Sequence, residues 1–97
     1  MSTLIQSPDD VEFVIECERL GVDTVWVPEV WGYDAMTPLG LLAGKTSSIR
    51  LATGIVQLGA RTPAMLAMQS MSLQMMSGGR FILGVGSSGP RIMEGWH

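Results

Sequence analysis

Apolar positions along the chain fall into two patterns. Val11, Val14, Ile15 and Leu20 recur at helical spacing, with Glu12, Glu16 and Arg19 largely on the opposite face. In contrast, Thr24 to Val27, Arg50 to Ile55 and Phe81 to Val85 are short runs with no polar face. Such runs predict strands buried on both sides, as in a parallel sheet. The punctuation between them agrees. Ser7-Pro8-Asp9-Asp10 opens the first helix, with a capping serine, a proline at the first turn and acids behind it. Thr37-Pro38 opens a second helix over Leu39 to about Lys45, and Thr62-Pro63 a third to about Met76. Gly21 and Gly78-Gly79 supply stops.

The predicted order is therefore helix and strand in alternation, beginning with a helix. Strands recur about every 28 residues, close to the roughly 30 of one βα unit in a (β/α)8 barrel. Right-handed crossovers would make the strands parallel and bring the loops that follow them to one side. Three strands cannot close a barrel, and an open parallel sheet of three leaves bare edges and a bare face. The expectation is an α/β fold: a partial TIM (β/α)8 barrel of about three βα units with the first strand missing. Residues 1–97 would then be a fragment of a single barrel domain. Composition points the same way. The chain is 46% hydrophobic and only 15% charged, whereas a small self-contained domain exposes much surface and carries more charge.

A net charge of −3 and scattered basic residues give no footprint for nucleic acid. No stretch approaches the roughly 20 apolar residues of a membrane span. The N-terminus lacks a charged head followed by an apolar run, and Cys17, the single cysteine, makes no disulfide within the chain. A cytoplasmic setting is expected. Cys17 reads as a small apolar helix residue, and the methionines of the third helix (65, 68, 71, 75 and 76) read as core filling. His97, the sole histidine, has no metal-ligating partners, so no metal site is expected.

The candidate chemistry lies where strands give way to loops, since ligands of such folds sit at the carboxyl ends of the strands. Gly54-Ile55-Val56-Gln57 interrupts the second strand. Glycine late in a buried strand marks either a close approach by a ligand or room for helix packing. Glu29 follows the first strand immediately: it is a ligand acceptor or base, or else a solvated loop acid. Trp31 and Tyr33 either wall a flat ring or cover the end of the barrel. Gly84-Val85-Gly86-Ser87-Ser88-Gly89 matches G-x-G-x-x-G after a strand, yet Pro90 follows and no ribose-binding acid is in view. Its backbone N–H groups and serines suit a phosphate all the same.

Three runs carry a wider resemblance: ERLGVDTVWVPEVWGYDAMTPLGLLA, IRLATGIVQLGARTPAMLAM and MSGGRFILGVGSSGPRIMEGWH, together about residues 17–97. In them the chain resembles the bacterial luciferase-like monooxygenase superfamily, and within it the branch that uses the deazaflavin coenzyme F420. The resemblance implies a (β/α)8 barrel, of which this chain would supply the second to fourth strands. It implies coenzyme F420, or alternatively FMN, across the strand ends, and a small-molecule substrate. It implies a cis-peptide bulge behind the ring at Gly54-Ile55, running on through Val56, with Gln57 flanking the ring and Glu29 nearby. Gly86, Ser87, Ser88 and Gly89 stand where the family approaches the cofactor tail or substrate. Val30 stands where some relatives carry a helpful histidine, which speaks against a sugar-phosphate dehydrogenase role. Catalytic residues are not assigned.

The expected activity is hydride transfer between the deazaflavin and a small organic substrate. The alternatives are an FMN-dependent monooxygenase inserting oxygen from O2, or an inactive truncated fragment. The full-length protein is expected to be a homo-oligomer.

Overall fold

The computed structural model describes residues 1–30 and 32–86. Helix α1, Pro8–Arg19, starts where the sequence says it should. Ser7 is its cap, the side-chain oxygen accepting from the Asp10 amide at 3.3 Å. It buries Val11, Val14 and Cys17 and ends before Gly21, whose φ of +93° only glycine adopts easily. Strand β1, Thr24–Val27, follows, then α2, Met36–Lys45. α2 begins earlier than Thr37-Pro38 suggested, because Asp34 does the capping: its Oδ2 accepts from the Thr37 amide at 2.8 Å and hydroxyl at 2.9 Å.

Strand β2, Arg50–Thr53, pairs in parallel with β1, Val25 opposite Leu51 and Trp26 opposite Ala52. β4, Phe81–Ile82, adds to its other side, giving a three-stranded sheet in the order β1-β2-β4. Val25, Leu51 and Phe81 form one row facing the helices, buried with Val14, Leu39 and Leu42. The opposite row, Trp26, Ala52 and Ile82, has no helix layer over it. Trp26 is 39% exposed, where burial on both faces was expected. A parallel strand is covered twice only when a layer stands on each side. In place of a strand before α1, residues 1–3 lie along β1, Ser2 bridging Trp26 in parallel. The Trp26 amide donates to Met1 O at 2.7 Å, and the Thr3 amide to Trp26 O at 3.0 Å. This short, polar opening had no legible strand pattern.

Both longer strands break: the second at the interruption that Gly54 to Gln57 predicted, the third where a continuous Phe81 to Val85 was expected. β2 stops at Thr53, and the chain resumes as β3, Val56–Gln57. β4 stops at Ile82 and resumes as β5, Val85–Gly86. β3 and β5 form a second, two-stranded parallel sheet. Thr53 bridges the break: its hydroxyl donates to Gly84 O and accepts from the Gly84 amide, both at 2.7 Å. A Cβ on Gly84 would collide with the Thr53 carbonyl oxygen, so glycine is required there by space.

Helix α3, Pro63–Met76, is capped by Thr62, which accepts from the Met65 amide. Its only buried residue is Leu73. This corrects the reading of its methionines as core: Met65, Met68, Met71, Met75 and Met76 are all exposed. The helix is apolar on every side, so its sequence does not single out the face that packs, and α2 covers a narrow stripe of it. None of the helices among the described residues is long and apolar enough to cross a membrane.

The floor of the sheet is tied by two charged side chains. Glu18 Oε2 accepts from the amides of Ser47, Ser48 and Ile49 at 2.8–2.9 Å. Arg80 donates to the carbonyls of Ala43, Thr46, Ile49 and Ser77 and to the Thr46 hydroxyl, closing the end of α2 onto the start of β4.

Candidate functional site

Because the strands are parallel, the segments after Val27, Thr53 and Ile82 emerge on one side. They form the mouth. The peptide bond between Gly54 and Ile55 is cis. The Gly54 amide still donates to Val27 O at 2.9 Å, after which Ile55 O turns to accept from the Glu29 amide at 3.1 Å. Val56 then pairs with Val85, and Gln57 with Gly86. The Ile55 side chain lies over Gly84 and Gly86, where any Cβ would meet it. Glu29, Gly54, Ile55, Val56, Gln57 and Gly86 are thus one cluster. Ser87, Ser88 and Gly89 lie outside the described residues, as do Trp31 and His97.

Glu29 is the centre of this cluster, with its side chain fully buried. Oε1 accepts from the Gln57 amide and Arg61 Nη1, both at 2.9 Å. Oε2 accepts from the Ala35 amide at 3.0 Å and Arg61 Nη2 at 2.6 Å. The pair is a bidentate fork, the stronger kind of charge-assisted contact. Burial pushes the Glu29 carboxyl up. The hydrogen bonds from Arg61, Gln57 and Ala35, with the Arg61 charge, outweigh burial and hold it below its ordinary value. The carboxylate is therefore ionised at neutral pH and its acceptor sites are filled by protein donors. It is neither a solvated loop acid nor an open acceptor, and it reaches a ligand only through the groups it holds.

Arg61 was not singled out from the sequence. The available signal was charge complementarity: Arg61 is the one basic residue in the loop after β2, facing a loop with Glu29 and Asp34. Thr53 was missed, and Gly84, noted only as part of the glycine-rich run, was not linked to it, since their contact joins distant segments. Tyr33 stands on a small hairpin, paired with Val30 around Gly32, whose φ is +98°. With Glu29, Gly32, Asp34, Ala60 and Arg61 it lines a cavity of about 380 Å³ between the two mouth loops. Tyr33 is exposed, so it borders the mouth and does not seal it.

Residues 6–97 match the model of the luciferase-like monooxygenase family. The chain belongs to that family. Among relatives of this luciferase-like chain is a Mycobacterium tuberculosis protein named provisionally as a coenzyme F420-dependent oxidoreductase. It is 49% identical over 86 residues, covering 89% of this chain and 25% of the relative. The 4-hydroxyprotoasukamycin monooxygenase of Streptomyces nodosus is 36% identical over 84 residues, covering 80% of this chain and 23% of that one. Among solved structures, the coenzyme F420-dependent tetrahydromethanopterin reductase of Methanopyrus kandleri superposes with a TM-score of 0.86 at 28% identity. That alignment covers 98% of this chain and 28% of the reductase. The luciferase-like chain spans about a quarter of the length of the curated relatives it matches. Its fold is accordingly a partial barrel of this family's kind, with parallel strands and one helix layer.

Proposed function

We propose that the chain is part of a coenzyme F420-dependent oxidoreductase, moving a hydride between the deazaflavin and a small organic substrate. The observation that carries this reading is the 49% identity to the mycobacterial protein named for that cofactor. The mouth fits a flat ring. Gly54, Gly84 and Gly86 let the Trp26 and Ile55 side chains and the Thr53 carbonyl pack tightly against the backbone there, and Val85 and Trp26 offer exposed apolar surface. Gly54, Ile55, Val56, Gln57 and Gly86 would hold the ring, with Ser87, Ser88 and Gly89 toward its tail. Glu29 would contribute by fixing Gln57 and Arg61. When bound, the deazaflavin supplies the hydride chemistry. The chain supplies a rigid apolar bed and orientation, and its buried carboxylate, kept ionised and fully bonded, stays out of proton transfer.

The proposal extends to the barrel: these 97 residues contribute one portion of a larger (β/α)8 domain. It extends also to a full-length protein that is cytoplasmic and homo-oligomeric. Expressed alone, the 97 residues are expected to show no cooperative melt. A sharp monomeric transition would refute that part.

The activity test is bleaching of the oxidised deazaflavin absorbance by the protein carrying this chain, screened across alcohol and other hydride donors. The 36% identity to a monooxygenase favours a second reading, FMN-dependent insertion of one oxygen atom from O2. Turnover with reduced FMN and O2, without bleaching by any donor, would replace the first reading by the second.

A further inference from the structure

Glu29 and Arg61 do more than cancel one another's charge. On the side away from Gly84 and β5, residues 55–57 are held by the backbone of Glu29 and by this pair. The Glu29 amide donates to Ile55 O, and the Glu29 carboxylate accepts from the Gln57 amide. Glu29 O accepts from the Gln57 side chain at 3.4 Å, and Arg61 Nη1 reaches Gln57 O at 3.5 Å. The same carboxylate takes the Ala35 amide just ahead of α2. One ion pair thus joins the loop after β1, the loop after β2 and the start of α2. It is the one buried pair among the described residues; those of Arg19 with Glu16 and Arg50 with Asp23 are exposed.

Stability is a poor explanation for such a pair. Removing two charges from water offsets most of their attraction, and apolar residues of similar volume often do as well or better. What the apolar replacement lacks is direction. A guanidinium fork on a carboxylate fixes angles as well as distance. The pair also borders the cavity between the mouth loops.

We propose that Glu29 and Arg61 are positioning residues. By fixing residues 55–57 in one shape, they set the surface on which the cofactor ring lies. The inference rests on the cofactor reading above.

The test uses the protein carrying this chain and two variants, the double Glu29→Leu/Arg61→Met and the single Arg61→Lys. Thermal midpoints come first, then titration with coenzyme F420 followed by its fluorescence, then kcat and KM. The double variant is expected to melt near the wild type yet bind F420 about tenfold or more weakly, with kcat reduced even at saturation. Arg61→Lys keeps the charge without the fork and is expected to show the same loss. A folded double variant with unchanged F420 affinity and kcat overturns the proposal. Should the double variant fail to fold, Arg61→Lys decides alone: unchanged affinity overturns, weakened affinity supports. Wild-type binding of FMN in place of F420 overturns only the cofactor reading, and the same variants then judge the positioning role on FMN. Binding of neither overturns both.

Discussion

At the floor of the sheet, Glu18 and Arg80 are satisfied chiefly by backbone groups; at the mouth, Glu29 and Arg61 bond each other twice, and Glu29 takes two backbone amides besides. The floor contacts close loops that would otherwise leave amides and carbonyls unpaired. Glu18 takes three successive amides of one turn, and Arg80 takes the last carbonyls of α2. Such contacts finish a fold. The mouth pair instead joins loops to each other beside a cavity. In barrels of this kind the lower face serves stability and the upper face serves chemistry, and the two uses of charge follow that division.

The comparison breaks most readily at Glu29. Glu29→Ala alone leaves the Arg61 guanidinium buried without a counter-ion, and is expected to cost about 3–5 kcal/mol. Denaturant unfolding of the protein carrying the chain measures it. A loss under about 1 kcal/mol would place the pair with ordinary surface ion pairs.

Arg80→Met sharpens the other side. It keeps the apolar stem and removes every donor, with an expected cost of about 2–3 kcal/mol and no change in cofactor affinity. A weakened affinity in a folded Arg80→Met protein would dissolve the distinction between floor and mouth.

Gly84→Ala tests the seam between the two sheets. The added methyl meets the Thr53 carbonyl oxygen, which is backbone and cannot rotate away. The expected loss is about 1–3 kcal/mol in thermal unfolding, with the β3–β5 pairing shifted.

The smallest effect is in pH. For Glu18, burial raises the carboxyl, and the amides of Ile49, Ser48 and Ser47, with the Ser48 hydroxyl, lower it to a net value below normal. A carboxyl depressed in the folded state stabilises the protein above its unfolded pKa, and that contribution is lost as pH falls through the folded value. Stability should therefore decline below about pH 4.5, the ordinary carboxyl value, with Glu29 adding to the same slope. Glu18→Gln keeps an acceptor oxygen and removes its part of the slope. The difference is about 1 kcal/mol or less, since Glu18 is only half-buried and solvent screens it. Thermal midpoints from neutral to acid pH, compared between the two proteins, check it.

Much of the scaffold was legible. Ser7-Pro8 and Thr62-Pro63 opened α1 and α3 because a capping oxygen and a ring-fixed φ act within a few residues. TVWV is β1 to the residue. Local signals failed where a choice lay with a neighbour. The methionines of α3 could not report which face would pack, and Arg50 to Ile55 could not report that its ladder changes partner after Thr53. The run SGGRF served as a family mark, but the work of Arg80 appeared only once the end of α2 stood beside it.

By itself, the chain's pattern determined the alternation of helix and strand, the parallel sense and the side on which the loops gather. Each follows from period, punctuation and the handedness of crossovers, all of them short-range. Tertiary structure alone decided that β4 breaks beside β2 with Thr53 bridging them, that Trp26 stands on the face without helices, and that Glu29 is locked to Arg61 and not open at the mouth. Those contacts join residues about thirty positions apart, where no local pattern reaches and only the packed sheet brings the partners together.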